Sequence, residues 1–127
     1  MYTVVRFMVD PERRDDLLRI GARMNVARAG VFTGLRKAGD GFACEVCADP
    51  SWQVHAQEIL RFVADFEPCI QAASQIGANV TVDVAVEPED AGAGRLALVL
   101  GWDAALLGAL AAAGVRVEVS IYASGVA

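Results

Sequence analysis

Asn79-Val80-Thr81-Val82-Asp83-Val84-Ala85-Val86-Glu87 alternates between apolar and polar side chains almost without a break. Successive side chains of a strand point to opposite faces. Val80, Val82, Val84 and Val86 therefore share one face, and Thr81, Asp83 and Glu87 share the other. Such a strand is buried on one side and solvated on the other, which is the pattern of an antiparallel sheet with one covered face.

Upstream, Gly77 is placed to close a helix. That helix opens at Asp49-Pro50 and carries an apolar stripe at three- and four-residue steps: Trp52, Ala56, Ile59, Val63, Phe66, Ile70 and Ala73. Pro68 predicts a stop or kink near Phe66 and a second helical piece from Pro68 to about Ile76. Before it, Val31 to Lys37 and Phe42 to Ala48 read as a hairpin joined by Ala38-Gly39-Asp40-Gly41. Tyr2 to Val9 is a strand, and Asp10-Pro11 starts a helix to about Ala22. Arg23 to Gly30 reads as a loop.

Downstream, Leu96 to Trp102 reads as a strand, Asp103 caps a helix over Ala104 to Ala113, and Gly114 ends it. Val115 to Ala123 alternates again, with Val115, Val117, Val119 and Ile121 expected inward. The order is β-α-β-β-α-β-β-α-β. It predicts a single α+β domain over residues 1–127, with one mostly antiparallel sheet and the helices packed on one face.

A chain of 127 residues is long enough for a hydrophobic core, and a 55% hydrophobic content excludes disorder. Charge is unevenly distributed. Residues 38–94 hold ten carboxylates and one strong base, Arg61, for a formal charge of −9. Residues 1–37 carry +4 and residues 95–127 balance, which returns the overall −5. A pI near 4.7 argues against nucleic acid and against anionic membranes as partners. Leu96 to Val115 is apolar over a span that could cross a bilayer, but Asp103, Gly101, Gly108 and Gly114 interrupt it. With no apolar leader visible and an odd cysteine count, the expected compartment is the cytoplasm.

No constellation predicts catalysis, a cofactor or a metal. Cys44 and Cys47 have CxxC spacing but fall within a strand, where residues three apart face opposite ways. Cys69 and His55 do not complete a zinc site. His55 stands beside the apolar stripe and reads as a surface or boundary residue, with no nucleophile fixed near it. The pairs Asp15/Asp16, Asp65/Glu67 and Glu89/Asp90 lie in polar contexts, not in the apolar pockets that raise a carboxyl pKa. No phosphate-binding glycine loop is present.

Leu98-Val99-Leu100, Leu106-Leu107-Gly108-Ala109-Leu110, Ala113-Gly114 and Val119-Ser120-Ile121-Tyr122 form a strand–helix–strand pattern. It resembles the end of the bacterial family catalogued as Domain of Unknown Function 4279. The opening strand with its Asp-Pro helix start is also similar, as is Arg36-Lys37-Ala38-Gly39-Asp40, and together these stretches cover about half the chain. The resemblance carries over no activity. It implies a small non-enzymatic domain of the kind that toxin systems recruit as plugs.

The expected function is an immunity or antitoxin-type inhibitor. Its acidic surface would occupy the positive cleft of a basic toxin, with a nuclease as the expected target. The partner-binding candidates are Asp65, Glu67, Asp83, Glu87, Glu89 and Asp90. The alternative is a small-molecule sensor or regulatory domain acting as a homo-oligomer.

Overall fold

The computed structural model describes residues 1–27, 32–35, 40–87 and 100–122. Among these residues, five strands and three α-helices follow in chain order. They are β1 (Tyr2–Val9), α1 (Arg14–Ala27), β2 (Phe32–Leu35), β3 (Asp40–Cys47), α2 (Trp52–Gln75), β4 (Asn79–Val86), α3 (Ala104–Ala113) and β5 (Arg116–Ile121). A 3₁₀ turn, Pro11–Arg13, leads into α1. The expected turn at Ala38-Gly39 and most of the expected strand Leu96 to Trp102 lie outside the described residues; 100–102 are not in a strand.

The sheet order is β2-β3-β1-β4-β5. β1 is antiparallel to both β3 and β4, and β2 is antiparallel to β3. Among the described strands β5 alone is parallel, to β4. A parallel neighbour needs a crossover connection, and α3 lies in the connection between β4 and β5. The first six elements thus have the order of the split βαβ, ferredoxin-like unit, to which α3 and β5 add a parallel edge.

The core lies on the helix-bearing face, as the alternation predicts. Val5 and Phe7 of β1, Phe42 and Cys44 of β3, and Val80, Val82 and Val84 of β4 pack under Leu17, Ile20 and Met24 of α1, the inner side of α2, and Leu106 and Leu110 of α3. Phe7 stacks on Phe42 with ring centroids 4.7 Å apart. Gly41 is required here because a Cβ would fall 1.9 Å from the Phe7 carbonyl oxygen.

Helix ends follow local chemistry. Asp103 accepts a hydrogen bond from the Leu106 amide at 2.8 Å and caps α3, and Gly114 leaves it at φ +69°. Gly77, at φ +80°, follows α2. Pro68 kinks α2 instead of ending it: the helix runs on to Gln75 with only Phe66 (φ −114°, ψ 16°) out of helical geometry. Asp49 does not cap that helix. Its Oδ1 accepts from the Ser51 amide at 2.8 Å, an Asx-type turn, and Ser51 takes the N-cap position. α1 extends past the expected end at Ala22, because Met24 continues the stripe of Leu17 and Ile20 and is buried with them.

Two expectations about exposure are corrected. The helix-free face is not wet at its centre: Val4, Ala43 and Asp83 are all buried there. Long side chains lie along this face, which keeps water off its middle. Tyr2 Oη donates to Glu45 Oε1 at 2.9 Å, and Arg6 reaches sideways over β4. Conversely, Val117, Val119 and Ile121 are 42%, 45% and 79% exposed. The register places them on the helix-bearing face, but at the outer edge of the sheet.

Candidate functional site

Two groups of polar side chains are organised by this fold. The first begins on the helix-free face. Arg6 is on the central strand, and its Nη1 donates to Asp83 Oδ2 at 2.9 Å, while Nη2 pairs with Glu118 on β5. Ser120 donates to the other Asp83 oxygen, Oδ1, at 2.8 Å. Both oxygens of this carboxylate are therefore engaged, and its side chain is only 4% exposed. The network ties β1, β4 and β5 together across their width.

The second group is centred on His55, which is fully buried and not a boundary residue. It sits on the α2 stripe, four residues before Ile59 and seven before Phe62, both of which are buried. That spacing is the sequence signal for an inward-facing histidine. Nε2 faces the carbonyl oxygen of Asp49 and so carries the proton it donates there. Nδ1 then accepts from Thr3 Oγ1 at 2.6 Å. Thr3 is itself fully buried, so this hydroxyl and imidazole satisfy each other inside the protein.

Trp52 stacks beside His55, packs against Trp102 with centroids 4.7 Å apart, and donates its indole N–H to the Gly101 carbonyl at 2.7 Å. An open cleft of about 570 Å³ adjoins this pair between the starts of α2 and α3, lined by Trp52, Gln53, Gln57, Leu60, Asp103 and Leu106 among others. Its lining mixes amide, carboxylate and apolar groups.

The thiols do not form a site. Cys44 is buried in the core, Cys47 and Cys69 are half-buried, and none of the three is in a disulfide. Among the described residues no three His, Cys, Asp or Glu side chains converge as they would around a metal ion. No helix among them is long and apolar enough to cross a membrane.

The six candidate carboxylates do not share one surface. Asp65 and Glu67 are exposed on α2, on either side of the distorted Phe66. Glu67 accepts from Gln71 at 3.4 Å. Glu87 is exposed just beyond the end of β4. Asp83 faces away from the helices and is consumed by Arg6 and Ser120. Glu89 and Asp90 lie outside the described residues. The structure therefore separates Asp83 from Asp65 and Glu67 by the thickness of the sheet. Sequence reasoning missed the Arg6–Asp83–Glu118 link, since no local pattern joins positions 77 and 112 residues apart.

No family model matches the chain, and neither a curated protein nor a solved structure matches it.

Proposed function

We propose that the chain is a non-enzymatic, immunity-type binding domain that neutralises a basic toxin, a nuclease being the expected target. The observation that carries this reading is the outer side of α2. Asp65 and Glu67 are exposed there, and Arg61, the only strong base of that helix, already pairs with Glu58 at 2.9 Å. Among the described residues, no base is thus left to compensate Asp65 and Glu67 on this side of the helix. Such a surface would complement a cleft built to attract polyphosphate, and it would speed association by steering. Glu87 adds to the acidic surface, whereas Asp83 is withdrawn from it because its charge is spent inside the sheet. Two further facts support a binding role: the single histidine is buried with both ring nitrogens bonded, and Cys44 is sealed in the core.

The test is titration of the purified product of the gene immediately upstream. Expected is binding that weakens steeply with salt, and that weakens at least tenfold when Asp65, Glu67 and Glu87 are all changed to lysine. Equal affinity of the triple variant and the original chain would overturn this surface.

A second reading, a small-molecule sensor or regulatory domain acting as a homo-oligomer, is supported by the cleft beside Trp52. Its volume falls within the range of ligand pockets. A metabolite that raises the melting temperature, with the rise abolished by Leu60→Arg, would support it.

A further inference from the structure

The outer edge of β5 combines three features. It is the end of the sheet, so half of its backbone groups lack a neighbouring strand among the described residues. It carries three β-branched side chains, Val117, Val119 and Ile121, exposed on one face. Leu107 of α3, the helix that precedes β5, is also exposed, at 47%. Proteins ordinarily blunt such an edge with charge, proline or a cover. Here the side chains of Arg116, Glu118 and Ser120 all belong to the other face, so β5 itself sets no charge on the apolar side of the edge.

We propose that a second copy of this chain pairs with β5, antiparallel, about a two-fold axis at Val119. The occupant and the register both follow from the strand. The Tyr122 amide donates inward to the Val86 carbonyl at 3.0 Å. In a parallel pair the residues that bond the neighbour alternate, so the even-numbered residues face β4. Val117, Val119 and Ile121 aim their amides and carbonyls outward. A symmetric antiparallel pair must therefore bond odd residues to odd residues.

Two registers use nearly the full strand. Centring on Glu118 sets it opposite its own copy, two carboxylates face to face, which is destabilising. Centring on Val119 sets Val119 against Val119 and Val117 against Ile121 on the apolar face. On the other face it sets Glu118 against Ser120 and Arg116 against Tyr122, with no like charges opposed. The strand is thus self-complementary in one register, as a two-fold interface requires. The product is a continuous ten-stranded sheet with all helices on one side. This deepens the homo-oligomer reading by naming its joint. It rests on the geometry of β5 alone, so its failure would leave the cleft beside Trp52 and the acidic side of α2 untouched.

The test uses the full chain in sedimentation velocity from 1 to 500 µM, with three variants. Expected is a concentration-dependent dimer that Val119→Lys weakens by roughly a hundredfold or more, since it sets two ammonium groups together at the axis. Val119→Cys keeps the edge uncharged and reads the register directly. Directly opposed hydrogen-bonded residues lie about 5.5 Å apart at Cα, within disulfide reach. Mild oxidation should cross-link Val119→Cys quantitatively, but neither Glu118→Cys nor the original chain. A monomer throughout the range overturns the proposal, as does a dimer that survives Val119→Lys or fails to cross-link through Val119→Cys. Preferential cross-linking of Glu118→Cys overturns the register.

Discussion

Replacing Arg6 with alanine removes the guanidinium that faces a carboxylate almost wholly withdrawn from water. Breaking a fully buried ion pair by deleting one partner costs about 3–5 kcal/mol, most of it the penalty of stranding the other charge. Two features lower the figure here. Arg6 is 20% exposed, and the Ser120 hydroxyl still bonds Asp83 after the change. The stranded carboxylate should therefore cost about 2–3 kcal/mol. The pairing with Glu118, whose side chain is 56% exposed, contributes no more than about 1 kcal/mol. A total near 3 kcal/mol moves a urea midpoint down by about 1–2 M. The decisive comparison is Arg6→Met with Asp83→Leu, which removes both charges and leaves apolar volume in their place. That double variant should return to within about 1 kcal/mol of the original chain, since the cost lies in the unpaired charge. Urea unfolding followed by circular dichroism at pH 7 measures all three. An Arg6→Ala change below about 0.5 kcal/mol, or a double variant no more stable than the single one, would refute the view that Arg6 compensates a buried charge.

His55→Leu leaves the Thr3 hydroxyl and the Asp49 carbonyl without their partner and should cost about 2–4 kcal/mol; adding Thr3→Val should recover part of that in the same unfolding assay. Gly41→Ala drives a Cβ into the Phe7 backbone and should cost about 3 kcal/mol. Gly108→Ala, where a Cβ meets open space in the interior of α3, should instead stabilise by about 0.5–1 kcal/mol, and thermal melts of the two alanine variants should move in opposite directions.

What could be read from the sequence was what neighbouring residues decide. The valines of β4, the Asp103 cap and Gly114 end of α3, and the distortion ahead of Pro68 all stand where local spacing puts them. The end of α1 was harder to place, because Arg23 and Asn25 suggest a loop while burial of Met24 holds the helix together. Propensity is a weak prior against tertiary packing. Strand order was not legible at all, and the candidate site suffered from that directly. Alternation assigns Asp83 correctly to the face away from the helices. Whether that face is wet at Asp83 depends on Arg6, which reaches it only because β1 lies next to β4. Asp65 and Glu67 needed no such knowledge, since their exposure follows from the position of the stripe on α2.

The place of β1 in the sheet also constrains how the chain is made. It lies between β3 and β4, yet it is the earliest of the described strands to be synthesised. One neighbour begins at Asp40 and the other ends at Val86. At roughly 5–20 residues per second, β4 is complete only about 4–17 s after the first residue of β1 is made. For that interval β1 has at least one open side, and Val5 and Phe7 lack the partners that later bury them. A nascent chain of this topology therefore carries Tyr2–Val9 as an unfinished central strand until β4 is made.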